Sequence, residues 1–201
     1  RRRMTVRVRE AADDDVGAIL DVAEAAWYAA YGGALDPSTI TAALVEYYDP
    51  ELIEAGIDHD AIAFYVAEVD GGVVGFASAE QTWADEVELH TLYVHPDRWG
   101  EGIGSVLLDR VTEWARDAGV DRITCGVLGD NAIGIGFFEA VGFRRGRGGG
   151  ARRGGGAPRG DEEGDGPPGK VGAARRQALA PPGGRDGCRW FGHGGAPHRA
   201  H

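Results

Sequence analysis

The stretch EVELHTLYVHPDRWGEGIGSVLLDRVTEWARDAG, residues 86–119, reads as a strand that runs through a glycine-rich turn into a helix. Its first half alternates, with Glu88, His90, Leu92 and Val94 on one face and Leu89, Thr91 and Tyr93 on the other, so both faces are bulky and the strand belongs inside a sheet. Pro96 cannot donate a ladder hydrogen bond and ends it. The second half places Ile103, Val106, Leu107, Val111, Trp114, Ala115 and Ala118 at three- and four-residue steps, one apolar helix face closed by Gly119. Between the halves stand Gly100, Gly102 and Gly104. A helix N-terminus presents unpaired N–H groups and about half a unit of positive charge, and residues without a Cβ let an anion approach them. The turn reads as an anion cradle or, equally, as a tight turn that needs glycine and binds nothing. It is no P-loop, because no Gly-Lys-Ser/Thr is present and Lys170 is the first lysine of the chain; nor is GEGIGS a dinucleotide fingerprint.

Charge bounds the partners. Residues 4–143 carry 27 Asp and Glu against six Arg and no Lys, whereas residues 144–201 are basic. A lysine-free acidic surface repels itself unless salt screens it, which implies a salt-rich cell interior, and it disfavours binding of nucleic acid or acidic membrane by this part of the chain. Cys125 and Cys188 make no disulfide framework, no run reaches the length of a membrane span, and no signal peptide precedes Met4. A cytoplasmic location is expected. Arg1 to Arg3 are set aside from fold reasoning.

Upstream, Thr5 to Glu10 alternates as an edge strand, and Asp13 to Asp15 stand where they cap a helix with Val16, Ile19, Leu20, Ala23 and Trp27 on its apolar face. Asp36-Pro37 starts a second helical stretch, with a further turn from Pro50 to Ala55. Ala61–Val69 and Val73–Glu80 are two strands about an Asp70-Gly71-Gly72 hairpin turn. Downstream, Asp121–Leu128 is a β-branched strand and Asp130 caps the next helix. The order is that of an α+β fold, a mostly antiparallel sheet flanked by helices.

The central stretch resembles the core motif of the GNAT N-acetyltransferase superfamily, in which LYVHP and R/Q-x-x-G-x-G/A hold the pyrophosphate of acetyl-CoA. Leu92, Tyr93, Val94, Arg98, Trp99, Gly100, Glu101, Gly102, Ile103, Gly104 and Ser105 fill that pattern, with Trp99 where the family usually has Arg or Gln and Arg98 beside it. A second match, NAIGIGFFEAVGF from Asn131 to Phe143, is similar to the family's N-x-x-A-x-x-F-Y-E-K-x-G-F segment. The resemblance implies the GNAT fold over residues 4–143, acetyl-CoA as co-substrate, and a primary amine as acceptor. By the same resemblance, Asn131 contacts the pantetheine arm and the helical region from Asp36 to Ala55 lines the acceptor pocket. Trp27, Tyr28, Tyr31, Tyr47 and Tyr48 read either as aromatic walls of that pocket or, as such residues more often are, as core.

An amine of lysine-like pKa is neutral in only about 4 molecules in 10,000 at pH 7, so transfer needs a base. Glu88 holds a position where several members carry a glutamate base; His90 is the reserve candidate. A main-chain N–H near Leu92 to Val94 would serve the oxyanion. The family's thiolate-protonating tyrosine falls at Phe138, which has no proton to give, leaving solvent or Tyr93. No metal site is expected.

Residues 144–201 hold 18 Gly, 11 Arg, 8 Ala and 6 Pro of 58, a composition expected to stay disordered. The last two strands of the family fold are then missing and the Asp121–Leu128 strand keeps an open edge. A reading-frame slip near Phe143 would explain the composition, and an RNA-binding arginine-glycine tail is the other reading. A non-catalytic acyl-CoA-binding module stands as the alternative to an enzyme.

Overall fold

The computed structural model describes residues 5–83, 85–127, 129 and 131–146, and the backbone of 188–193. Seven strands form one sheet: β1 (Arg7–Glu10), β2 (Ile62–Val69), β3 (Gly72–Trp83), β4 (Glu86–Val94), β5 (Arg122–Val127), β6 (Arg144–Arg145) and β7 (Cys188–His193). They lie in the order β1-β2-β3-β4-β5-β7-β6. All neighbours are antiparallel except β4 and β5. The α-helices of the described residues are α1 (Val16–Tyr31), α2 (Pro37–Tyr47), α3 (Pro50–Ile57), α4 (Ile103–Asp117) and α5 (Ala132–Ala140).

Each face of the sheet buries its own core. Val87, Leu89 and Ile123 pack with Leu107 and Val111 of α4 on one side. On the other, Phe64 and Phe76 pack with Ile19 and Trp27 of α1, Ile40 of α2 and Ile53 of α3. Each such side chain contributes roughly 1.5 to 3 kcal/mol by leaving water. The starts of α2 and α3 follow from Asp-Pro pairs: Asp36 accepts from the Thr39 N–H at 3.0 Å and Asp49 from the Glu51 N–H at 2.9 Å. The Asp13 to Asp15 run is a 3-10 turn rather than a simple cap, because Asp15 is drawn inward: its carboxylate takes both terminal nitrogens of Arg9 at 2.6 and 2.8 Å and the Ala12 N–H at 2.9 Å. At the start of α5 the cap is Asn131, whose Oδ1 accepts from the Gly134 N–H at 2.8 Å; Asp130, expected in that role, lies outside the described residues.

Two expectations are corrected. The β5 edge is not open, because all six residues of β7 pair with it, from Val127 opposite Cys188 to Arg122 opposite His193, and β6 pairs with β7 beyond. The segment CRWFGH carries β-favouring aromatics that an average over a glycine- and arginine-rich region conceals. The remainder of the expected disordered tail, its arginine-glycine repeats included, falls outside the described residues. The second correction concerns β4, which is not a simple alternation. Leu89 pairs with Ala79 and Thr91 with Ser78, leaving His90 as the extra residue of a β-bulge. Strict alternation puts Glu88 with Leu92 and Val94; the bulge instead puts Leu89 with them, so Glu88 shares the opposite face with Thr91 and Tyr93.

Candidate active site

The parallel β4–β5 ladder has three pairs, ending at Leu89 opposite Cys125. Beyond the His90 bulge β4 follows β3 instead, and the two strands part at their C-terminal ends, where parallel sheets place ligands. α4 and α5 meet near this gap, with Gly104 against the Phe137 ring.

A cleft of about 400 Å³ lies there, a size that suits a small-molecule site. Leu92, Tyr93 and Val94 form its β4 wall. Arg98, Trp99 and Gly100 lead into the start of α4, where Gly102, Ile103, Gly104 and Ser105 line it. Gly100 and Gly102 have φ of +80° and +81°, values that exclude ordinary side chains, and a Cβ at either would meet nothing within 4 Å. Gly104 differs: it is helical, and a Cβ there would come within 3.0 Å of the Phe137 ring, so its lack of a side chain lets α5 close on α4. No side chain caps α4, and its first intrahelical bond runs from the Val106 N–H to the Gly102 carbonyl. The N–H groups of Ile103, Gly104 and Ser105 therefore form the open donor set of a helix N-terminus beside an unobstructed loop. That arrangement fits a pyrophosphate.

The loop's side chains do other work. The Trp99 indole N–H donates to the Val94 carbonyl at 2.8 Å, so this residue ties the turn back to the end of β4 and offers its ring, not a charge, to the cleft. Arg98 pairs with Glu101 at 3.6 Å; Glu101 itself does not line the cleft. Arg98 is thus held at the cleft wall by an exposed acid that an incoming phosphate would rival.

A smaller cavity of about 60 Å³ adjoins the cleft across Leu92, Tyr93, Asn131, Gly134 and Phe138. His90, Thr91, Cys125 and Tyr31 are among the other residues of its wall. His90 is buried, with Nε2 at 3.3 Å from Glu80 Oε2 on β3, and its Nδ1 makes no hydrogen bond among the described residues. Glu88 lines neither cavity; it stands opposite Glu80 in the β3–β4 ladder. Asn131 donates from Nδ2 to the Tyr31 hydroxyl at 3.1 Å, joining the start of α5 to the end of α1. Gly134 is explained by that side chain: a Cβ would lie 2.9 Å from Asn131 Nδ2. Gly136 has no such neighbour, and nothing in the structure explains it.

Burial sets the acidities. It pushes the Tyr31 phenol well up, aided by Tyr93 and opposed by the Asn131 bond. The Tyr93 phenol, enclosed beside Tyr48 at a ring separation of 6.1 Å, is pushed well up for the same reason. The Cys125 thiol rises to about 12 through burial and then the charge of Glu88, so it stays protonated and inert. Phe138 is buried between Phe137 and Phe143, an aromatic stack with no proton to donate.

Sequence reasoning placed the cradle but not all of its surroundings. Ala26 and Ala30 of α1 and Ile133 and Phe137 of α5 also line the cleft; the last two lie within the second motif, whereas nothing in the sequence singled out Ala26 and Ala30. Glu80 gave no signal, because its meeting with His90 depends on the bulge.

The sequence profile of the acetyltransferase (GNAT) family matches residues 24–143. An uncharacterised N-acetyltransferase of Methanocaldococcus jannaschii is 32% identical over 90 residues, covering 42% of this chain. The chain spans about 40% of that relative's length. Among solved structures, the PaiA N-acetyltransferase of Thermoplasma acidophilum, crystallised with coenzyme A, superposes with a TM-score of 0.72 at 20% identity, over 94% of this chain and 99% of its own. A Staphylococcus aureus acetyltransferase of the GNAT family gives 0.62 at 15% identity, over 95% of this chain and 100% of its own. The ribosomal-protein-S18-alanine N-acetyltransferase of Escherichia coli gives 0.55 at 17% identity, over 71% and 80%. These three share the fold. With its glycine cradle at the parting of β4 and β5, a profile match over more than half its length, and acetyl-CoA as the family's co-substrate, this chain belongs to the acetyltransferase (GNAT) family.

Proposed function

We propose that the protein transfers an acetyl group from acetyl-CoA to a primary amine, on a small molecule or at a protein N-terminus. The observation that carries the reading is a pair of cavities that share lining residues, a cleft lined by the bare N-terminus of α4 and a small chamber lined by His90. Acetyl-CoA brings an activated acetyl thioester. The α4 N–H groups and the loop at Gly100 to Gly102 would hold its pyrophosphate, and Asn131, Phe137 and Phe138 would flank its arm.

Proton removal from the amine falls to β4, where Glu88 and His90 stand. Main-chain N–H groups between Leu92 and Val94, beyond the end of the β4–β5 ladder, would stabilise the oxyanion, a role worth about 3 to 4 kcal/mol in a comparable case. Tyr93 is a poor proton donor to the leaving sulfur, since its phenol is pushed well up while a free thiol titrates near 8.5; solvent meets that mild demand. The reducing compartment implied by the unpaired, buried Cys125 belongs to the same proposal.

Phe138 also supports a second reading, an acyl-CoA-binding module without transfer. Thiol release from acetyl-CoA, followed across an alkylmonoamine, an alkyldiamine, an amino sugar and a peptide ending in alanine, separates the two. Amine-dependent release with at least one of them is expected. Tight acetyl-CoA binding without release from any would favour the module.

A further inference from the structure

The His90 Nδ1 atom is the one buried side-chain polar atom among the described residues that lacks a hydrogen-bond partner. Folded proteins rarely leave such an atom alone. Its neighbours make the exception informative. The bulge in β4 takes His90 out of the β3 ladder, and Nε2 meets Glu80 Oε2 at 3.3 Å. Both side chains are largely shielded, with the imidazole at 3% exposure and the carboxylate at 15%. A carboxylate accepts only, so the neutral imidazole beside it carries its proton on Nε2. Nδ1 is then left with a lone pair, on a residue that lines the 60 Å³ chamber next to the cleft.

We propose that Glu80 and His90 form a base dyad, in which His90 Nδ1 takes the proton from the acceptor amine and Glu80 fixes the tautomer that makes this possible. The inference rests on the acetyl-transfer reading and names its base. As the amine nitrogen forms its bond to the acetyl carbon, its proton passes to Nδ1. The carbon–sulfur bond breaks, and its electron pair leaves on sulfur. The proton then returns from Nδ1 to sulfur or to solvent, and the imidazole regains its starting form. Sixty cubic ångströms admit an amine head group, or about two waters through which the proton would travel.

Among the described residues, nothing else facing His90 competes for the role. Cys125 on β5 is held protonated, the Tyr31 hydroxyl of α1 already accepts from Asn131, and Glu88 lines neither cavity. Glu80 is a positioning residue: it touches the imidazole and reaches the amine only through it. The arrangement follows the logic of a carboxylate that orients a histidine in hydrolases, built here across two adjacent strands.

The test uses the full chain, isotope-labelled, with long-range ¹H–¹⁵N spectra of His90 and steady-state kinetics on the four-amine panel. In the parent protein, neutral His90 should carry its proton on Nε2, and E80Q should move it toward Nδ1, because the glutamine amide can donate. With the best amine, H90Q should lower kcat by about 100-fold and E80Q by about 10-fold or more, both with the KM for acetyl-CoA within about twofold. The loss in H90Q should exceed that in E88Q. An Nδ1–H tautomer in the parent, full turnover by H90Q, or a tautomer unmoved by E80Q would each overturn the dyad. If no amine on the panel is acetylated, the transfer reading fails separately, and the tautomer decides the dyad alone.

Discussion

Asn131 binds two elements with one amide, capping α5 through Oδ1 and holding the Tyr31 hydroxyl of α1 through Nδ2. The neighbouring glycines therefore answer alanine substitution in opposite directions, although both sit in α5. At Gly136 the added methyl meets open space, so G136A should stabilise the protein by about 0.5 to 1 kcal/mol through helix propensity. At Gly134 the methyl would strike the Asn131 amide, so G134A should lose about 1 kcal/mol or more despite the same propensity gain. Urea melts of the two variants check this; stabilisation in both would show that the Asn131 bridge matters little. Asp15 supplies a pH prediction. Arg9 holds its carboxyl below the ordinary aspartate range, mainly through hydrogen bonding against the cost of burial. Its contribution is present above the unfolded value near 3.9 and is lost as pH falls through the lowered folded value. D15N should cost about 1 to 3 kcal/mol at pH 7, with the gap to the parent narrowing below about pH 4. A pH-independent gap in denaturant melts would rule out the ion pair as its cause.

The elements were legible where a local signal existed. The Asp36-Pro37 pair announces a helix start, Asp70-Gly71 announces the hairpin, and the glycines at 100 to 104 mark the turn that opens α4. The stretch from Pro50, read only as a further turn, is instead the helix α3, capped by Asp49. What stayed hidden depends on pairing between distant strands. The bulge at His90 is visible only as a register shift against β3, so alternation alone put Glu88 on the wrong face and hid the approach of Glu80. Likewise β7 is six residues inside a glycine-rich context, and only the exposed edge of β5 gives it a reason to be a strand. The energetic consequence is testable. A chain ended at Gly146 loses β7, uncovers β5, and should melt at least about 5 °C lower and aggregate on warming. An unchanged melting temperature by calorimetry would mean that β7 adds nothing to the fold.

Across the whole molecule, the 27 acidic residues of the first 143 are balanced by few cations, among them Arg9, which pairs with Asp15 and Glu68. Self-repulsion of this kind is screened within about 3 Å at molar salt. The melting temperature should therefore rise in molar KCl relative to low salt, and an unchanged value would remove the argument for a salt-rich home. The cleft lining holds no acid among the described residues, so the binding of an anionic co-substrate falls to the local field of α4 and the nearby Arg98. That is the central claim: the bare helix start with its left-handed glycines is a built site for acetyl-CoA. The most direct measurement is a calorimetric titration of acetyl-CoA into the full chain and into G102V, in molar KCl. The account predicts saturable one-to-one binding by the parent and at least about 10-fold weaker binding by the variant, because a β-branched residue cannot hold φ near +81° without strain. No saturable binding by the parent, or equal affinity in G102V, would contradict it.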